Sequence, residues 1–341
     1  MNILFAIHLY YPQHGAGAES MVRNISSYMI KKGHNVHILL MESKHYNVDQ
    51  VYDFEGAMVI PADSGRDLTQ PLDWADIVFT HLTWTSWAAH ICSIKKKPLV
   101  FLSHNTHPYD ILRAFPNMAV VYNSEAMRGI LKYQNRSIVV HPPVDYRKND
   151  LGGPTGEYIT LVNLTANKGS KLFINIAKAM PGRKFLGVGG SYDPQYREEL
   201  PNVTYLPNSP DMAKVYRMTR ILVCPSKYES WGMCATEAMC NGIPVIYHPT
   251  FGLCENVGEN GIAVKDVNPT YDDVVDRRGG ESPGLDPVAN VAAWVKAIKK
   301  LDDKKTYQKY SNLARARGKQ LDPDLELAEL EKFIFNEVRN Y

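Results

Sequence analysis

The chain has 341 residues, 45% of them hydrophobic and 22% charged, with a formal net charge of +2. At about 100 to 200 residues per domain this is more than one ordinary core, so two domains are expected, and the apolar share argues against a disordered tail. Residues 1–146 carry 12 Lys+Arg against 12 Asp+Glu, a balance that gives no strong nucleic-acid or membrane signature.

The first residues, "MNILFAIHLYYPQHGAG", have no positive n-region and no small-residue cleavage site, and no run of about 18 apolar residues follows, so a cytoplasmic protein is expected. Strand-like runs "NILFAIHLY", "VHILLM", "MVIPA", "ADIVFTHL", "PLVFLSH", "AVVYNS" and "SIVVHPP" alternate with helix-length amphipathic segments. That alternation predicts an α/β domain built on a parallel, doubly wound sheet. The first helix is expected to start near Glu19, to bury Met21, Ile25, Tyr28 and Met29, and to stop at Gly33 behind Lys31 and Lys32. The basic run Lys95 to Lys97 reads as a solvated helix end.

A Pro/Gly-rich link, "HPPVDYRKNDLGGPTGE", precedes a second alternation that starts at "YITLVNL" and runs through "KFLGVGG", "VTYLP", "RILVCPS", "IPVIYHP" and "IAVK". The expected organisation is one Rossmann-like domain over 1–146 and a second over 147–321. An amphipathic final helix at about 322–341 is free to pack back on the first. The polar, Gly/Pro-rich stretch 268–286 reads as an exposed loop. Five cysteines, Cys92, Cys224, Cys234, Cys240 and Cys254, form no CxxC pair and no zinc spacing, so they read as reduced thiols.

Three stretches carry chemistry. In "YYPQHGAGAES", Gly15 and Gly17 would let the backbone approach a ligand ahead of a helix N-terminus, although Ser20 breaks the G-x-G-x-x-G fingerprint. In "NLTANKGS", Asn163 ends a strand and Lys168 and Gly169 precede a helix; a diphosphate contact and a surface lysine beside a glycine turn are both open.

In "PSKYESWGMCATEAMCNGIPV", Pro225 and Gly232 bracket a loop bearing Glu229. A helix from about Met233 to Cys240 follows, ending at Asn241-Gly242, with Glu237 inside it among Ala, Met and Cys. A carboxylate there needs hydroxyl donors or a cation. The amides near Gly232, Met233 and Cys234 make an anion site. A phosphate cradle flanked by two hydroxyl-binding acids suits a sugar nucleotide.

Of eleven histidines, ten lie in residues 1–146. His8, His34, His37, His45, His81, His90 and His141 read as surface or internally satisfied groups. Trp84 and Trp87 read as core ahead of acceptor stacking. Asp322 and Asp324 in "DPD" read as helix caps, so no metal ligand is assigned.

Glu229 and Glu237, in the frame P-S-x-x-E-x-x-G-x-x-x-x-E-A-M-x-x-G-x-P-V, resemble the E-x7-E motif of retaining glycosyltransferase family 4. The "GAGAE" loop, "NKG", "HPPVD" and "FGLCENVGENG" extend the likeness over nearly the whole chain. The resemblance implies a GT-B fold, two Rossmann-like doubly wound domains facing across a cleft, with the acceptor on the N-terminal and the donor on the C-terminal side.

It further implies that Glu237 holds the donor ribose and Glu229 lies beside the sugar. Gly232, Met233 and Cys234 would offer amides to sugar and phosphate, and Lys168 would neutralise the leaving diphosphate. Gly15 and Gly17 would bring the first-domain loop near the phosphates. His104 would face the reaction centre, with His107 a second candidate from the same loop. Asn163 stands where the family has an arginine, so one positive charge on the diphosphate is missing or supplied elsewhere, and Trp231 stands where it has Phe, a packing change with a little more reach toward the sugar. The base is expected near Leu206 to Asn208.

The implied activity is metal-independent, cofactor-free, retaining transfer of a hexosyl unit, UDP-sugar ahead of GDP-sugar. The acceptor hydroxyl belongs to an unidentified glycan, lipid, protein, metabolite or modified nucleic-acid base. A sugar-nucleotide epimerase of the same fold and a non-catalytic sugar-nucleotide or glycan-binding protein are the alternatives.

Overall fold

A computed structural model describes residues 1–62, 68–105, 110–191, 193–209, 211–265 and 290–341. His107 and the loop expected at 268–286 lie outside the described residues. The chain divides into two compact units, Met1–Pro143 with Pro323–Tyr341, and Val144–Asp322.

Unit 1 is built on eight strands: β1 Asn2–Ile7, β2 Asn35–Leu40, β3 Tyr52–Phe54, β4 Ala57–Pro61, β5 Ile77–Thr80, β6 Leu99–Ser103, β7 Ala119–Tyr122 and β8 Ser137–Val139. Their order in the sheet is β3-β4-β2-β1-β5-β6-β7-β8, and all but β3 are parallel. Ile3, Leu4, Phe5, Ala6 and Ile7 are all inaccessible, as expected of a strand covered on both faces. Strand β3 has no counterpart among the expected runs. It pairs antiparallel with β4 through Glu55-Gly56, both at positive φ, a tight hairpin turn that an isolated "EG" barely signals.

The first helix spans Gly17–Lys31 and so begins two residues ahead of the expected Glu19. Glu19 is its third residue, and its carboxylate accepts the Ala16 N–H at 3.0 Å, half of a capping box. The helix ends before Gly33, at φ +85°. The last helix, Pro323–Arg339, belongs to unit 1, where Leu327, Leu330 and Ile334 enter the core around Phe5, Ile25 and Met29.

Unit 2 has six parallel strands: β9 Tyr158–Val162, β10 Phe185–Val188, β11 Val203–Leu206, β12 Thr219–Cys224, β13 Val245–Tyr247 and β14 Ile262–Ala263. Their order is β11-β10-β9-β12-β13-β14. Counted within the unit this is 3-2-1-4-5-6, the order of the doubly wound nucleotide-binding sheet. The strands β4-β2-β1-β5-β6-β7 of unit 1 repeat it. The order reverses between β9 and β12 in unit 2 and between β1 and β5 in unit 1. Ligands of such sheets collect off the carboxyl ends of the strands at that point. Among the described residues no helix is long and apolar enough to cross a membrane.

Candidate functional site

In unit 2, β9 runs into Asn163 and β12 into Pro225, one on each side of the reversal. Asn163 sits at φ 71°, a left-handed conformation that Asn tolerates better than most side chains. Its Oδ1 accepts the Thr165 N–H at 3.1 Å, folding the loop back on itself. The two loops then touch. Lys227 N donates to Asn167 O at 2.8 Å, and at Gly169, φ +79°, a Cβ would lie 2.4 Å from Pro225 O. Only glycine fits both the angle and the approach.

That contact brings Lys168 to Glu229. The ammonium donates to Glu229 Oε1 at 2.6 Å, and Ser226 Oγ donates to the same oxygen at 3.0 Å. Glu229 is 8% exposed, while the lysine side chain is about a quarter exposed. Both bonds fall on Oε1, so Oε2 accepts none among the described residues, and the lysine side chain remains partly exposed. Asn163 contributes geometry at this point and no charge.

Beyond Glu229 the helix Met233–Cys240 begins at Gly232, with φ +89° and no side chain capping it. A Cβ on Gly232 would lie 2.7 Å from Leu253 Cδ2. The first amides of such an end have no intrahelical partner and favour an anion. The helix Phe251–Asn256 holds this turn in place: Gly252 N donates to Glu229 O at 3.2 Å, and Asn256, fully buried, donates to the carbonyls of Trp231 and Gly232 at 3.0 Å each. The sequence offered no role for Asn256 beyond its place in "FGLCEN".

Trp231 is the packing change expected of it, and only its added reach toward a sugar needs correcting. It is 1% exposed, and its indole N–H donates to Thr236 Oγ1 at 3.1 Å, so the ring packs the turn from inside and does not reach toward a ligand. Glu237 finds its hydroxyl donor within the protein: Tyr216 Oη donates to Glu237 Oε2 at 2.5 Å. Burial pushes the Glu237 carboxyl up to about 7, against a smaller opposing effect of that hydrogen bond. The thiol of Cys224 is raised well above its usual range, first by its hydrogen bond with Cys234 and then by burial.

In unit 1 the reversal is occupied by histidines. His8 follows β1, His81 follows β5 and His104 follows β6. His8 Nδ1 and His81 Nε2 lie 3.0 Å apart, and the rings of His81 and His104 meet edge to face at 5.0 Å. Burial lowers all three, His104 to about 4 and His81 well below its usual value. His81 Nδ1 and His104 Nε2 are shut off from solvent and accept or donate no hydrogen bond among the described residues.

Glu19, 2% exposed, lies 3.7 Å from His8 Nε2 and 3.8 Å from His14 Nε2, and burial pushes it up to about 7. His8 and His81 thus join His104 in one cluster, and the bond between them agrees with their reading as internally satisfied groups. A histidine directly after a strand at the reversal was the available signal. His34, bonded to Glu331, and His141, bonded to Glu326, are satisfied structural groups; His37 stacks on Trp74, with its buried Nδ1 making no hydrogen bond among the described residues. Gly15 faces Tyr11, whose ring would be 2.6 Å from an added Cβ. Gly17 is the first helical residue and not part of the preceding loop.

Comparison with known proteins bears on both units. Residues 157–276 match the family model described as Glycosyl transferases group 1. An uncharacterized glycosyltransferase of Methanocaldococcus jannaschii is 33% identical over 112 residues, which are 32% of this chain and 26% of that protein; the chain matches about a quarter of its relative's length.

Among solved structures, sucrose-phosphate synthase from Thermosynechococcus elongatus superposes with a TM-score of 0.72 at 15% identity, over 100% of both chains. Anabaena HepE in complex with UDP and glucose gives 0.70 at 16% identity, over 98% of this chain and 99% of that one. At such identities the likeness is one of fold. The chain has the GT-B fold, and the residues that match the glycosyl transferases group 1 model, 157–276, begin one residue before β9 in unit 2.

Proposed function

We propose that the protein is a retaining glycosyltransferase that moves a hexosyl unit from a UDP-sugar to an acceptor hydroxyl without a metal ion. The observation that carries this reading is the Lys168–Glu229 pair, 2.6 Å apart beside the uncapped helix end at Gly232. A cation with an open side and free amides meet the charge that develops on a departing diphosphate. Glu229, fixed by Lys168 and Ser226, accepts hydroxyls of the donor sugar, and Glu237 accepts the ribose diol. The UDP and glucose bound in HepE favour a UDP donor.

In the reaction the bond from the anomeric carbon to the diphosphate oxygen breaks, and the acceptor oxygen bonds to that carbon on the same face. The acceptor's proton passes to the departing diphosphate oxygen, so Glu229 acts as a ligand and not as a nucleophile. Unit 1 serves the acceptor through His104, which burial keeps neutral and able to accept a hydrogen bond. Incubation with a panel of nucleotide sugars tests the reading. Free sugar and nucleotide from slow donor hydrolysis, unchanged by a chelator, are expected. A new nucleotide-sugar isomer would point to epimerisation, and binding without turnover to a non-catalytic binder.

A further inference from the structure

Glu237 meets a hydroxyl that comes from another element. Tyr216, on the helix Met212–Met218, is 2% exposed; its Oη bonds Glu237 Oε2 at 2.5 Å and lies 3.3 Å from the Cys234 carbonyl. The Tyr216 side chain is buried, so its hydroxyl restrains the oxygen it bonds. Glu237 Oε1 accepts no hydrogen bond among the described residues, and Glu237 is half-buried, so this oxygen is the one left for a ligand.

The other titratable groups around the carboxylate come from four elements. Cys234 and Cys240 lie on its own helix and Cys224 on β12; Asp150 comes from the segment leading into unit 2, bonded at 2.6 Å to Arg315 of the helix Lys304–Gln320. Cys240 is pushed up to about 12 by burial and then by Glu237, and Cys224 is also raised, so both stay thiols. Asp150 is lowered through its bonds to Gly152 and Arg315, against burial, which is the largest effect and raises it. It stays ionised and paired. Glu237 is left as the group there that changes charge near neutrality.

We infer that Tyr216 is a positioning residue for the donor's ribose: it holds one oxygen of Glu237, turns the other toward the diol, and makes donor affinity depend on pH. This rests on the reading of Glu237 as the ribose ligand. A carboxylate can accept both hydroxyls of a diol, whereas the protonated acid gives up an acceptor. The carboxyl is held at about 7 by burial, with Tyr216 pulling the other way. Affinity is therefore full above that range and lost as pH falls through it. Without the Tyr216 hydroxyl the opposing effect disappears, and the loss moves to higher pH.

Calorimetric titration with UDP, and in parallel with GDP, from about pH 6 to about pH 9 tests this on the wild-type protein, Tyr216→Phe and Glu237→Gln. Wild type should lose affinity as pH falls through about 7, by roughly 10- to 100-fold in all for the bond lost to the charged carboxylate, and Tyr216→Phe should show the same loss displaced to higher pH, with alkaline affinity within about threefold. Glu237→Gln should bind weakly and lack the Glu237 limb, keeping only the dependence that the nucleotide's own terminal phosphate, with a second pKa of about 6, imposes on every variant. A Tyr216→Phe limb that coincides with wild type, or affinity lowered equally at every pH, would reduce Tyr216 to packing and overturn the inference while leaving the donor reading intact. A limb beyond that of the nucleotide's own phosphate that survives Glu237→Gln would also overturn it. Failure of both nucleotides to bind wild type at any pH would sink the donor reading itself.

Discussion

At the strand reversal of unit 2 a lysine and a glutamate stand 2.6 Å apart with a serine hydroxyl in support, while at that of unit 1 two histidines touch at 3.0 Å and burial keeps them uncharged. The sheets share their strand order through six parallel strands. Topology therefore fixes where a ligand can gather, and the side chains after the strands decide what it can be. Unit 2 leaves its cation partly exposed, as a polyanion requires. Unit 1 has buried histidines at the reversal, each lowered by burial, with Glu19 beside them raised to about 7, and so offers hydrogen bonding without a cation for phosphate.

The contrast is most directly broken at Lys168. Lys168→Met removes the cation and leaves Glu229 with Ser226 alone; turnover should fall roughly 100- to 1,000-fold, about 3 to 4 kcal/mol, with Lys168→Arg restoring part of it. Steady-state kinetics on whichever nucleotide sugar of the panel is turned over measure this. A loss below about tenfold would remove Lys168 from the chemistry.

The second prediction concerns acid stability in unit 1. His104 is held at about 4 against an ordinary 6.5, so between those values the folded protein binds fewer protons than the unfolded chain. Stability should be full above about 6.5 and fall as the pH drops toward 4, by up to about 3 kcal/mol from this group. Glu19 and Glu237, both raised to about 7, act oppositely: the stability they contribute is present below about 4.5 and lost as pH rises through 7. Denaturant unfolding at a series of pH values should show a shallower acid limb in His104→Asn, and an unchanged limb would assign it elsewhere.

Gly169→Ala comes third. It places a methyl group 2.4 Å from Pro225 O at a left-handed φ, which should cost about 1 to 3 kcal/mol and weaken nucleotide binding by parting Lys168 from Glu229. Thermal unfolding and nucleotide titration together check this, since a loss of stability with full binding would mean the loops can part without disturbing the pair. The smallest effect is expected at Trp231→Phe, which loses one hydrogen bond to Thr236 inside the turn: about 1 kcal/mol of stability, with kcat within about twofold. A large drop in kcat would restore a role for the indole at the sugar.

Local signals carried the sheets and the helix under Glu237. Buried parallel strands are continuous Val/Ile/Leu runs, and Asn241-Gly242, with Gly242 at φ +67°, ends the helix where the residue types suggest. The partnerships were not legible. Tyr216 and Glu237 are 21 residues apart, and nothing in "AKVYRM" marks its tyrosine as the one that turns inward. His8, His81 and His104 meet only because β1, β5 and β6 are neighbours in the sheet, a product of strand order. Asn163, which stands where the family has an arginine, takes a φ of 71°, which a sequence does not display. The direction of Trp231 depended on Thr236 and Asn256 closing the turn from the far side.

The helix Pro323–Arg339 closes the sheet that the first residues begin: Arg136 grips Glu337 at 2.8 Å, and His34 and His141 bind Glu331 and Glu326. Unit 2 is thus an insertion in the chain of unit 1. During synthesis its residues, 144–322, are all made before that helix exists, so the domain begun first is the one completed last. No single proteolytic cut at 143 can release unit 1 whole, and a separately expressed version needs residues 1–143 rejoined to 323–341.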